Sequence, residues 1–92
     1  MKYIFEVEDV FNLTNRGCVL APGVSSNAEC PVLVGSKIVI VRPDGSELET
    51  KINGIEIIRS VQTPVKFNPI LLPRDIEKSK VPIGSKVYLL NE

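Results

Sequence analysis

"SKIVIVRPDGSELETKINGI", residues 36–55, contains the pattern that decides the fold. Ile38, Val39, Ile40 and Val41 run without interruption and are all β-branched, as expected of a strand with little solvent on either face. The run stops at Arg42-Pro43-Asp44-Gly45-Ser46. Pro43 presets φ for the first turn position, Asp44 tolerates the second, and Gly45 supplies a left-handed residue. The reading is a type I turn plus bulge that closes a β-hairpin. On the return strand the apolar residues stand at Leu48 and Ile52, but beyond Gly54 they fall at Ile55 and Ile57, so the inward parity flips from even to odd. A bulge at Asn53-Gly54 is the simplest cause, and it would bend one long strand so that it serves both sides of a barrel.

The same period extends in both directions. Tyr3, Phe5 and Val7 alternate with Lys2, Glu6 and Glu8, predicting a first strand with Tyr3, Phe5 and Val7 on its buried face; Ile4 breaks the alternation. A second strand is predicted from about Arg16 to Val24 and a third from Ser36 to Arg42. A fifth is expected around Val65 to Leu72, blunted by Pro64, Pro69 and Pro73, and a last from Ser85 to Leu90. One helical turn is expected near Arg74 to Lys78. "VGSKIVIV" at 34–41 returns as "IGSKVYLL" at 83–90, a turn-into-strand device used twice. Neither is a phosphate loop, because Ser separates Gly from Lys and a strand follows where a helix is needed. Short strands with no long helical pattern argue for an all-β, closed or nearly closed antiparallel barrel.

Ninety-two residues form a single domain, 1–92, whose partner sites must lie on its outside. Eleven basic and eleven acidic residues leave no net field to steer the chain to nucleic acid or an anionic membrane, although local patches remain open. Glu6, Glu8 and Asp9 interrupt what would be the apolar core of a signal peptide, and no run approaches the ~20 apolar residues of a membrane span. The expectation is a soluble, cytoplasmic protein. With no histidine and only Cys18 and Cys30, a tetrahedral zinc would be half-ligated, so no metal and no cofactor are expected. Both thiols are expected reduced, with Cys18 in the core; a Cys18–Cys30 disulfide is the alternative. Asn12-Leu13-Thr14 matches a glycosylation sequon by chance. Enzyme chemistry has little support, and a small hydrolase or transferase is a remote third reading: there is no histidine, no nucleophile elbow and no close acidic pair on a recognised scaffold.

"VEDVFNLTNRGCVLAPGV" from Val7 to Val24, followed by "VGSKIVIV", "NGIEII" and "LLPRDIEKSKVPIGSKV", resembles, in order and spacing, the second domain of elongation factor Tu and related translational GTPases. The resemblance runs from about Ile4 to Leu89. Val7 to Phe11 with Arg16-Gly17 behind them is its most specific part. It implies a six-stranded β-barrel that is not itself catalytic and that helps hold the aminoacylated 3′ end of tRNA. Carried over onto this sequence, that site would use Glu8, Asp9, Phe11, Arg16 and Glu56. Carboxylates can accept from ribose hydroxyls or an α-amino group, Phe11 offers a stacking face, and Arg16 can pair with phosphate or carboxylate. The chain departs from the family in its short "RSVQTPVKF" stretch, which lacks an acidic, Gly-rich segment, and in Ile58, where an aromatic is common.

Two readings of these residues stay open. Asp9 and Arg16 can pair across a turn, bracing a corner with Phe11 tucked beneath, or they can face a ligand. Arg74, Lys78, Lys80 and Lys86 are diluted by Asp75 and Glu77 and read as a solvated face. The expected partner is RNA, an acceptor end or ribosomal RNA. The alternative is a protein-interaction or assembly subunit that uses barrel edges or apolar loop residues such as Val32, Leu33 and Phe67.

Overall fold

The computed structural model describes residues 2–13, 15–25, 32–55 and 67–90. It contains β1 (Lys2–Glu6), β2 (Asp9–Leu13), β3 (Gly17–Ser25), β4 (Lys37–Val41), β5 (Glu47–Lys51), β6 (Gly54–Ile55), β7 (Phe67–Leu71) and β8 (Lys86–Leu89). These form two four-stranded antiparallel sheets, β1-β8-β4-β5 and β2-β3-β7-β6.

The decisive stretch behaves as its residues dictate. Val41 pairs with Glu47, the Gly45 N–H donates to Arg42 O at 2.9 Å, and Gly45 takes φ of 90°. The Asp44 carboxylate accepts from the Ser46 hydroxyl and N–H at 2.6 and 2.9 Å, which holds its pKa below the ordinary carboxylate value. Ile38 and Ile40 point into the core, and Val39, on the opposite face of β4, is buried as well. The two Gly-Ser-Lys segments also match each other: Ser36 N–H donates to Leu33 O and Ser85 N–H to Pro82 O, both at 3.1 Å, just before β4 and β8.

Two corners connect the sheets. Between β1 and β2 the Val7 N–H donates to Ser85 O on one sheet, and the next N–H, of Glu8, donates to Ala21 O on the other. Between β5 and β6 the Ile52 N–H donates to Ser36 O, and the Asn53 N–H crosses to Leu71 O. The predicted parity break therefore marks the point where the chain leaves one sheet for the other; Ile57 lies outside the described residues.

Three expectations are corrected. Tyr3 is exposed, because the β1–β8 register steps from Tyr3↔Tyr88 directly to Phe5↔Val87 and leaves Ile4 as an extra, bulged residue. The extra residue turns Tyr3 outward while Phe5 and Val7 stay in the core. The helical turn lies at Lys78–Lys80 as a 3-10 turn, after a single turn closed by the Ile76 N–H on Pro73 O. Asp9 to Leu13 is a strand in its own right rather than part of a corner.

The core unites both sheets: Phe5, Val10, Leu20, Ile38, Ile40, Ile52, Ile70 and Val87, joined by Ile76 and Val81 from the segment between β7 and β8. Cys18 is a free, buried thiol whose Sγ donates to Ile76 O at 3.6 Å. Cys30 lies outside the described residues. Burial pushes the Cys18 thiol above its ordinary value of 9.0. A raised folded-state pKa stabilises the fold below the unfolded-state value, and this contribution fades as pH rises towards the folded-state value. The stability gap between wild type and Cys18→Ala is therefore expected to narrow above pH 9.0 in paired urea melts; a gap that stays constant with pH would contradict the burial.

Candidate functional site: the β2–β3 hairpin and its flanks

The β2–β3 register, Asp9↔Ala21 through Leu13↔Gly17, sorts the hairpin into two faces. Val10 points inward beside Leu20, whereas Asp9, Phe11 and Leu13 share the outer face. Phe11 is 50 % exposed, so it is not tucked beneath the corner. Its cross-strand neighbour Val19 and the next residue in that row, Leu71, are buried although they lie on the outer face. Phe11 thus ends an apolar row that runs across the sheet and presents its ring at the edge.

Asp9 and Arg16 do not meet across a turn. Asp9 lies four residues before Leu13, roughly 13 Å along the strand, and Arg16 sits in the turn beyond Leu13↔Gly17. The Asp9 carboxylate instead accepts from the Val10 N–H at 2.9 Å.

Arg16 lines an open cleft of about 360 Å³ together with Asn12, Leu13, Asn15, Gly17 and Arg74. The Arg16-Gly17 pair has a backbone cause. Gly17 takes φ of 113°, and a Cβ there would come within 2.5 Å of Leu72 O. Only glycine lets β3 approach so closely, and the Leu72 N–H then donates to Cys18 O at 2.9 Å. This contact carries the chain after β7 past the hairpin turn and brings Arg74 to the same cleft as Arg16. Two guanidinium groups and two carboxamides line the cleft, and each can donate hydrogen bonds to an anion.

Glu8 lies elsewhere. It borders a groove of about 450 Å³ with Tyr3, Ile4, Phe5, Glu6, Pro22 and Phe67. Glu56 lies outside the described residues. Of the five residues implied by the resemblance, Asp9 and Phe11 share a face, Arg16 lies at the end of the same hairpin, and Glu8 faces a separate depression. Sequence reasoning missed Arg74, whose signal was masked by Asp75 and Glu77. It also missed Tyr3 as a surface residue, for which the break at Ile4 was the available signal.

Among the described residues no three or more His, Cys, Asp or Glu side chains gather as a metal site requires, and no helix is long and apolar enough to cross a membrane. Comparison with protein-family models, curated proteins and solved structures finds no match.

Proposed function

We propose that this chain is a non-enzymatic binding module that grips the single-stranded end of an RNA. A tRNA acceptor end is the case that the resemblance to the second domain of elongation factor Tu implies, with ribosomal RNA as the other RNA target. One observation carries the reading: the half-exposed Phe11 ring stands on the strand and face whose next residue, Leu13, walls the two-arginine cleft. An aromatic face stacks a base, and guanidinium groups beside it bind the adjoining phosphates. Asp9, on the same face, can accept from a ribose hydroxyl. The module acts in the cytoplasm, where its thiols stay reduced.

The architecture we infer is a six-stranded barrel. If β1 and β2 count as one bent strand and β5 and β6 as another, the pairings run in a ring: β1/β2, β8, β4, β5/β6, β7, β3 and back to β2. Each bent strand serves both sheets, as barrel closure requires.

A second reading, a protein-assembly subunit, draws on Leu33, Val34 and Ile83, exposed at the twin turns.

The test titrates wild type, Phe11→Ala, Arg16→Ala and Arg74→Ala with a labelled CCA-ended oligonucleotide, aminoacylated and free, at two salt concentrations. Phe11→Ala is expected to weaken binding by about 1–3 kcal/mol through lost stacking. Each arginine variant should bind less tightly and show a shallower salt dependence, one phosphate contact having been removed. Absence of wild-type binding at ~1 mM, an affinity weaker than about −4 kcal/mol, would remove the RNA reading and leave the assembly reading.

A further inference from the structure

The groove beside β1 belongs to neither the hairpin face nor the arginine cleft. It opens because β1 and β2 serve different sheets: the Glu8 N–H is bonded to Ala21 O, but before that corner β1 turns away to pair with β8, while β3 beyond Ala21 continues against β7. β1 forms one wall, with Pro22 and Phe67 on the other. Tyr3 is 51 % and Phe67 43 % exposed. The Tyr3 ring is held by an edge-on contact with Tyr88, ring centres 5.6 Å apart. Both carboxylates that border the groove, Glu6 and Glu8, are exposed; Lys86 stands opposite Glu6 in the β1–β8 register, but neither it nor any other basic side chain is among the described residues that line the groove.

Charges and a bulge on an outer strand also serve to prevent edge-to-edge aggregation, which would account for Lys2, Ile4 and Glu6. That role does not call for two half-exposed aromatic residues lining the same groove, nor for a second carboxylate at the corner. Aromatic faces combined with carboxylates bind cations: the ring quadrupole attracts an ammonium or guanidinium, and the carboxylate pairs with it.

We propose that the Tyr3–Glu6–Glu8–Phe67 groove docks a basic, extended segment of a protein partner, with a lysine or arginine side chain lodged between the aromatic walls. RNA is disfavoured there because the two carboxylates would face its phosphates.

The probe is an acetylated, amidated heptapeptide in which threonine alternates with lysine and arginine, compared with the same peptide carrying glutamine at every basic position. Both are titrated into the full chain and followed through its amide spectrum. The expected result is a set of shifts confined to residues 3–8 and the neighbourhood of Pro22 and Phe67, diminished by salt and absent with the glutamine peptide. The double variant Glu6→Gln, Glu8→Gln should bind about 3- to 30-fold more weakly, and Phe67→Ala about 2- to 5-fold more weakly. The amide spectrum of each free variant verifies its fold, and the double glutamine variant, altered only at exposed positions, keeps the test valid if Phe67→Ala unfolds. No shifts at ~5 mM peptide, equal binding of the two peptides, or unchanged affinity in the double variant would overturn the proposal. So would a CCA-ended oligonucleotide that shifted these same amides.

Discussion

Replacing Gly23 with alanine is expected to remove about 2–5 kcal/mol of stability and to lower the melting temperature by at least about 10 °C. Gly23 lies where the β3–β7 register is interrupted, between Leu20↔Ile70 and Val24↔Asn68, and its φ is 102°. A Cβ there would stand 2.0 Å from Asn68 O and 2.5 Å from the Cα of Pro69. Both are backbone atoms, so relief requires the two strands to separate, and these strands carry Leu20, Val24 and Ile70 of the core. A 92-residue chain has roughly 5–14 kcal/mol of stability in all, so the loss is a large share of it. Gly45→Ala is the matched control: φ is 90°, yet a Cβ would meet nothing within 4 Å. It should lose only the conformational part, about 1–2 kcal/mol. Thermal melts of the two variants side by side decide the matter. If Gly23→Ala melts within a few degrees of Gly45→Ala, the close approach of β3 to β7 is not what the stability depends on.

Leu20→Ala should cost about 2–5 kcal/mol, whereas Phe11→Ala should cost about 1 kcal/mol or less. The two residues stand one pair apart in the same hairpin, where Val10↔Leu20 faces in and Phe11↔Val19 faces out. Leu20 is fully buried among residues of both sheets, so truncating it leaves a cavity that neighbouring strands cannot close without breaking register. Phe11 gives up only the cover it provides to Val19. Urea unfolding of both variants measures the difference, with the slope checked for a change in the denatured state. A Phe11→Ala loss as large as that of Leu20→Ala would return the ring to the core. A small loss makes Phe11→Ala a clean probe in the RNA titration, because the folded population stays close to that of wild type.

The hairpin around Pro43 to Gly45 was legible because its causes are local: a fixed proline φ, an aspartate that bonds two residues ahead, and a glycine that takes positive φ. The change of sheet near Asn53 was legible for a related reason, since a parity flip between Ile52 and Ile55 is written directly in the spacing of apolar residues. The inward face of the opening stretch could be read only in part. Alternation announced β1, but whether Tyr3 or its neighbours faced the core depended on the register with β8, a pairing across more than eighty residues that absorbed Ile4 as a bulge.

The candidate site divides along the same line. Residue types in the Glu8 to Arg16 stretch were visible in the sequence. Their grouping was not, because strand register separates Asp9 from Arg16 and the corner at Val7 sends Glu8 to a different groove. Arg74 reached Arg16 through a backbone approach at Gly17 that no pattern of charge along the chain encodes. By itself the sequence determined an all-β chain, its main hairpin and the chemistry available at its surface, since these follow from φ preferences and period-two burial. Which of those groups share a face was decided by tertiary structure alone, because that depends on long-range register and on where two backbones can come close enough to touch.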